Sequence, residues 1–418
     1  LPERHLSRED RGLAQEITLG VLRWQLTLDH FIERYAGRTV GELDLPVLVA
    51  LRMGLYQLRF LERIPPSAAV NESVTLVKHS RIRSAAGLVN AVLRRAAANP
   101  EEQLEPANST VRDSIELSHP GWLLDRWTLH LGKEHARAFA LANNQSAPLA
   151  FRVNSIRASE ADIIQALAAE GVEVRQSSIS PDGFVVANGP KLKLLMAADR
   201  GDIYFQDEAS QLVAHLSGAR PGERILDLCA APGSKTSHIA ALADNRAHIV
   251  ACDLRSQRLA TLARTCQRLG ATSVSAVACN AAGELPFESA TLFDRVVVDA
   301  PCSGTGTLRT NPEIKWRLVP GDIARLASVQ LALLLSAAEV LKPGGRLVYS
   351  TCSIEREEDE EVITLFLEQN PAFMVTEPAA PANTVTAEGF VRTFPDRHGT
   401  DGFFAAVLVK TDGGETWN

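Results

Sequence analysis

Five short apolar runs in the second half of the chain, RILDLC, HIVACDL, VSAVACN, DRVVVDAP and RLVYSTC, each lead into a helical pattern or a loop. Runs of this length alternating with helices call for a parallel sheet, because parallel neighbours can be joined only by crossovers. In such sheets ligands bind beyond the carboxyl ends of the strands. The informative residues sit there: the loop DLCAAPGSKT (Asp227 to Thr236), Asp253, Asn280, Asp299 with Cys302, and Cys352. Two nearby features carry no chemistry. ATLARTCQRLG sets Leu262, Cys266 and Leu269 on one helical face ending at Gly270, which makes Cys266 a core residue, and the turn in LKPGGRLVYS makes Gly344 and Gly345 structural.

The sheet occupies only half of a chain of 418 residues, long enough for two or three domains. From Arg8 to about Ala98 apolar residues recur at three and four, with breaks at Gly37, Gly41 and Pro65-Pro66, which predicts an all-α bundle whose stripe Leu48, Leu51, Leu55, Leu58 is core. NPEEQLEP (Asn99 to Pro106) reads as a linker. A small α+β unit follows: two short helices in SHPGWLLDRWTLHLGKEHARAFALANN, with Trp122 and Trp127 in packing, then strands in LAFRVNSIR, GVEVRQ and GFVVANG around the helix ASEADIIQALAAEG. Arg152 and Asn154 are explained by alternation in a half-buried strand. The expected division is 1–105, 106–205 and 206–412.

Net charge is −7, against expectation for a nucleic-acid binder, but it is unevenly spread. Residues 1–100 carry 14 Arg and Lys against 10 acids, and Lys78, Arg81, Arg83, Arg94 and Arg95 fall in a stretch without an acid. That stretch is either a solvated helix face or a phosphate-binding patch. All six cysteines lie in the second half and none forms Cys-x-x-Cys, so neither a metal site nor a disulfide framework is expected, and a reducing cytoplasm is. No secretory signal or membrane-length apolar run is read from the sequence, and a soluble protein is expected; a monomer is favoured, with the oligomeric state left open.

The loop DLCAAPGSKT follows a strand and opens a helix. A P-loop would need Gly where Cys229 and Ser234 stand, and a dinucleotide fingerprint would need three glycines where only Gly233 is present. A turn of small residues, with an acid ending the next strand, suits a nucleoside without phosphates, of which S-adenosylmethionine is one. Asp253 could accept both ribose hydroxyls and Asn280 could meet the adenine; as a bland alternative, Asp253 caps a helix.

A thiolate adding at C6 of cytosine makes C5 nucleophilic and is itself a good leaving group. Cys302 and Cys352 both end strands, and Asp299 could hold N3 and N4 of the base, with Lys235 stabilising the charge. Cys352 precedes SIEREEDEEVITLFLEQN, read as a helix whose N-terminus favours thiolate, with Glu355, Glu357 and Glu358 facing solvent. Residue chemistry alone does not choose between the two thiols. A zinc deaminase is excluded, because no His begins H-x-E and Pro301-Cys302 lacks a second Cys three residues on.

DLCAAPGSKT, DAPCSGTGTLRTNPEIKW, YSTCSIEREEDEE and RTFPDRHGTDGFFAAVLVK together resemble the RNA cytosine-5 methyltransferases. LRMGLYQLRFLERIPPSAAVNESVTLVKHSRIRSAAGLVNAVLRR resembles the NusB-type RNA-binding domain, and the combination is similar to the RsmB (Fmu/Sun) 16S rRNA family. The resemblance implies a NusB-like bundle, a small RRM-like α+β domain and a Rossmann-like class I methyltransferase domain. It makes Cys352 the nucleophile and Cys302 the thiol that aids product release. It assigns Cys229, Ala230, Ala231, Pro232, Gly233, Ser234, Lys235, Asp253, Asn280 and Asp299 to the cofactor. Asn311, Pro312, Lys315 and Trp316 would shape an RNA-facing wall, with simple packing as the alternative for Trp316. Ser234 stands where the family usually has Gly, and Asn280 where an acid is common, which predicts altered affinity rather than inactivity. Methylation of another RNA such as tRNA, or RNA binding without catalysis, are the alternatives.

Overall fold

The computed structural model describes residues 7–100, 109–287 and 292–411. Most of the expected linker, residues 101–106, lies outside them. The chain divides into two compact units, Leu1–Ser146 with Leu308–Arg317, and Ala147–Thr307 with Leu318–Asn418.

The first unit is helical. Arg8–Arg23, Gln25–Ala36, Leu45–Phe60, Pro66–His79 and Ala86–Ala98 form the bundle, around a core that includes Leu28, Phe31, Ile32, Leu51, Leu55 and Leu93. Three further helices, Ser109–Leu117, Gly121–Leu131 and Lys133–Asn143, pack on this bundle and not with the strands that follow them. Thr27 Oγ1 donates to the Ile115 carbonyl at 2.5 Å, and Leu26 N to Ser118 Oγ at 3.1 Å. The boundary between the two compact units, after Ser146, thus falls within residues 106–205. Local patterning marks a helix but not the neighbour its apolar face will choose. Trp127 is packed against His119 and Phe139, as expected.

Leu308–Arg317 comes from deep within the second half of the sequence yet belongs to the helical unit. Trp316 Nε1 donates to the Leu22 carbonyl at 2.7 Å, and Lys315 Nζ to the Arg23 carbonyl and Asn144 Oδ1 at 2.8 and 3.1 Å. Lys315 is buried and Trp316 half-buried, both bonded within the helical body, which agrees with the packing alternative for Trp316. The basic residues Lys78, Arg81, Arg83, Arg94 and Arg95 are exposed.

The second unit contains two sheets. The smaller has β1 (Ala150–Val153), β2 (Glu173–Gln176), β3 (Gly183–Asn188) and β4 (Ile203–Phe205) in the order β2-β3-β1-β4, all antiparallel. With helices Glu160–Ala169 and Lys191–Arg200 it makes a β-α-β-β-α-β unit of ferredoxin-like topology. The larger has β5 (Arg224–Leu228), β6 (His248–Asp253), β7 (Val274–Ala278), β8 (Phe293–Asp299), β9 (Leu341–Thr351), β10 (Phe373–Val375), β11 (Val391–Thr393) and β12 (Phe403–Lys410). Its order is β10-β12-β9-β8-β5-β6-β7, with β11 also paired to β12. Strands β5 to β9 are parallel to one another, while β12 runs antiparallel to β9, β10 and β11. Because β6 and β7 lie on one side of β5 and β8 on the other, the direction in which successive strands are added to the sheet reverses at β5 and β8. That switch point is where loops diverge and a crevice opens.

Helix Pro320–Val340, with 21 residues and a mean hydropathy of 1.5 over its most apolar window, is long and apolar enough to cross a membrane. This corrects the reading that no apolar run approaches that length. Its Leu333, Leu334 and Ala337 pack in the core with Phe293 and Tyr349 of the sheet.

Candidate active site

The cofactor and catalytic candidates read from the sequence gather at the carboxyl ends of the large sheet. Leu228 closes β5 and Cys229 begins the loop; Asp253 ends β6, Asn280 follows β7, Asp299 ends β8 and Cys352 follows β9.

The loop after β5 turns sharply. Cys229 adopts a left-handed φ of 63°, and Gly233, at φ 95°, precedes the helix Ser234–Leu242. Ala230 N donates to the Cys252 carbonyl and Gly233 N to the Ala230 carbonyl, both at 2.8 Å. Below it, Asp227 is fully buried, and Thr236 Oγ1 donates to its Oδ2 at 2.6 Å. Burial pushes the Asp227 pKa up to about 7 against the pull of that bond, and burial likewise pushes the Cys229 thiol up to about 12.

Asp253 is 3% exposed. Its Oδ1 accepts from Arg255 N at 3.1 Å, and the helix that follows begins only at Ser256, so Asp253 makes a turn and not the cap. Its Oδ2 lies 3.1 Å from Arg258 NH1 but accepts no hydrogen bond among the described residues. A buried acceptor in this state fits a ribose hydroxyl. Arg258, which the sequence reading missed, also donates to the Ala231 carbonyl at 2.6 Å and so ties the loop to the acid. Asn280 is exposed and its Oδ1 accepts from Ala282 N at 3.3 Å, leaving its amide group toward solvent.

Across the switch point, Lys235 Nζ donates to Asp299 Oδ2 at 2.7 Å, and Ser350 Oγ to Asp299 Oδ1 at 3.0 Å. Burial depresses the Lys235 ammonium, but the charge and hydrogen bond of Asp299 outweigh it and hold its pKa above 10.5. The two thiols meet beyond the ends of β8 and β9, with Cys302 Sγ 3.2 Å from Cys352 Sγ; both are free and partly buried. The contact with Cys352, then burial, raises the pKa of Cys302 well above its ordinary value. Gly306 N donates to the Cys352 carbonyl at 3.0 Å, and a Cβ on Gly306 would come within 2.0 Å of the Gly402 carbonyl oxygen, so only glycine allows this crossing.

The acidic run after Cys352 departs from expectation. The α-helix starts at Glu360, after a short 3₁₀ turn at Arg356–Glu358, so Cys352 is not at its N-terminus. Glu355, Glu358 and Asp359 are buried, which corrects the reading of Glu355 and Glu358 as solvent-facing. Arg152 and Asn154 are buried too; Arg152 donates to Ser237 Oγ at 3.0 Å and to the Gln206 side chain at 3.2 Å, joining the small sheet to the helix that carries Lys235. Asp182 adds a second tie: its Oδ2 accepts from His238 Nε2 at 2.7 Å, and its Oδ1 lies 2.6 Å from His215 Nε2. One ligand-type atom from each of these three residues lies within 4.8 Å of the others, so the trio has the donor set and spacing of a metal site as well as of a clamp.

Residues 214–409 match the family model for the 16S rRNA methyltransferase RsmB/F, residues 1–98 the NusB family, and residues 119–193 the ferredoxin-like domain of RsmF/B-like methyltransferases. The chain is 34% identical to the probable ribosomal RNA small subunit methyltransferase B of Bacillus subtilis, over 98% of this chain and 93% of that one. It is 35% identical to the ribosomal RNA small subunit methyltransferase B of Pseudomonas putida, over 97% and 92%. The chain belongs to the RsmB/F family. The crystal structure of PH0851 superposes on it with a TM-score of 0.84 at 30% identity, over 98% of this chain and 92% of that one. As an RsmB/F member the chain combines a NusB domain, a small α/β domain and a methyltransferase domain with a mixed sheet. The RsmB/F match spans all the strand ends described above.

Proposed function

We propose that this RsmB/F protein transfers a methyl group from S-adenosylmethionine to C5 of a cytosine in 16S ribosomal RNA, through a covalent bond between Cys352 and C6. The observation that carries this reading is the pair of thiols 3.2 Å apart beside the Lys235–Asp299 ion pair. The match to ribosomal RNA methyltransferases of the small subunit supports the substrate.

The backbone of Cys229 to Lys235 would hold the cofactor, with Asp253 at the ribose, Asn280 at the adenine and Asp299 at the edge facing the base. When bound, S-adenosylmethionine supplies an electrophilic methyl group. Cys352 adds as thiolate to C6 of the cytosine, breaking the aromaticity of the ring and placing electron density on C5. Asp299 bonds to N3 and N4 of the base, and Lys235 steadies the charge that develops. Once C5 carries the methyl group, a base takes the C5 proton, the C–H electrons restore the C5–C6 double bond, and Cys352 leaves as thiolate with the C6–S pair, aided by Cys302. In this reading 1–105 is the RNA-binding module, 106–205 the connecting module and 206–412 the methyl-transfer module. The protein acts as a cytoplasmic monomer.

Cys352→Ala is expected to abolish methyl transfer, and Cys302→Ala to accumulate an RNA adduct that survives denaturing electrophoresis. An adduct formed by Cys352→Ala but not by Cys302→Ala would reverse the two roles. Bisulfite sequencing of total RNA with and without the gene maps the target; protection lost only from transfer RNA would overturn the ribosomal substrate.

A further inference from the structure

Glu358 is fully buried and accepts four hydrogen bonds. Its Oε1 accepts from Ser303 N at 2.8 Å and Gln330 Nε2 at 3.0 Å; its Oε2 accepts from Ser353 Oγ at 2.6 Å and from Ser303 Oγ. The sequence gives these donors their meaning, because Ser303 directly follows Cys302 and Ser353 directly follows Cys352. Gln330 Nε2 also donates to the Pro301 carbonyl at 2.9 Å, so the residues on both sides of Cys302 are tied to one carboxylate. The hydroxyls of Ser303 and Ser353 lie 3.1 Å apart, and the Tyr349 hydroxyl donates to the Glu358 carbonyl, anchoring that backbone to β9.

Strands β8 and β9 hold Asp299 and Ser350 in register, but Cys302 and Cys352 lie beyond the ladder. There the spacing of the two loops must come from side chains. A carboxylate does this well: two oxygens accept about four hydrogen bonds, and donors rather than a counter-ion satisfy its charge. Burial raises the Glu358 pKa against those four bonds, and its charge in turn is one of the causes that keep the Cys302 thiol protonated.

We propose that Glu358 is a positioning residue for methyl transfer, which fixes the spacing of Cys302 and Cys352 by holding the serine that follows each of them. The proposal rests on the reading above that these thiols are the reacting groups. Displacement of a reacting group by about 1 Å can cost about a hundredfold in rate, and a loop freed from Glu358 has that latitude.

The test uses the full chain with Glu358→Gln, Ser303→Ala and Ser353→Ala, and two readouts. The first is kcat and KM for methyl transfer to 16S rRNA. The second needs no RNA: diamide takes two hydrogens from the thiols, reducing its N=N bond to a hydrazine and oxidising Cys302 and Cys352 to a disulfide, and peptide mapping follows how fast that linkage forms. Glu358→Gln, which turns a donor toward donors, is expected to lower kcat about a hundredfold with KM within about twofold, and to slow disulfide closure about tenfold. Each serine variant, lacking one of the hydroxyl bonds, should fall between it and the parent, and these variants decide the matter if Glu358→Gln does not fold. Parental kcat and closure rate in all three would overturn the proposal, and so would a loss of kcat at an unchanged closure rate. A parent chain that closes the disulfide rapidly but methylates no RNA would overturn the proposed function, while the closure rates would still decide the role of Glu358.

Discussion

Lys235 in the methyltransferase unit and Lys315 in the helical unit are both buried, at 7% and 1% exposure, yet their ammonium groups are driven in opposite directions. Lys235 meets a carboxylate, Asp299, at 2.7 Å, and its pKa rises. Lys315 meets the Arg23 carbonyl and the Asn144 side chain; burial, and then the charge of Arg23, push its pKa well below 10.5. Burial penalises both charges, and the partner decides the outcome. A lysine beside a carboxylate can stabilise developing charge, while one bonded only to neutral acceptors serves to close the ends of helices. The two lie in stretches that the sequence alone would treat alike, since DLCAAPGSKT and RTNPEIKW are both family motifs.

The comparison breaks first at Asp299. Asp299→Asn leaves Lys235 buried without its counter-charge, and should destabilise the protein by about 3 kcal/mol in urea unfolding and cut methyl transfer by about a thousandfold. Parental stability in that variant would mean that the pair contributes nothing. The pH dependence sharpens the contrast. For Lys235, raised on folding, the contribution is fully present below 10.5 and is lost as pH rises through the higher folded value. For Lys315, lowered on folding, the unfolded chain binds a proton that the folded one gives up, so stability rises with pH from the depressed value up to about 10.5. Lys315→Met should remove that rise, flattening the pH profile of stability by up to ~1.4 kcal/mol per pH unit within the window. Equal slopes in parent and variant would show that Lys315 keeps its proton. The smallest effect is expected at Trp316→Phe, which loses the bond from Nε1 to the Leu22 carbonyl and should cost about 1 kcal/mol, read from the thermal midpoint.

Much of this could be read from the chain. The apolar runs predicted β5 to β9, and the strand ends placed Cys229, Asp253, Asn280, Asp299, Cys302 and Cys352 together before any distance was known. Cys266 and its helical face were legible because a 3.6-residue period is local information. The acidic run after Cys352 was not legible. Six acids in seven residues from Glu355 to Glu361 suggest a solvated face, but beside the nearby Ser353 and Thr351 the partners of Glu358 and Asp359 include Ser303, Gln330 and Arg392, some 30 to 55 residues away. The same holds for Arg152, whose partners Gln206 and Ser237 lie 54 and 85 residues further on.

By itself the sequence determined which residues form strands and helices, and which side chains reach the ends of the sheet, because periodicity and turn chemistry act within a few residues. Only the tertiary structure decided that the thiols stand 3.2 Å apart, that the helices 109–143 and the segment 308–317 join the bundle, and that Glu358 is an interior acceptor. The charge and place of a buried polar group depend on the partners that desolvation forces on it, and those partners come from whichever segment the fold brings near.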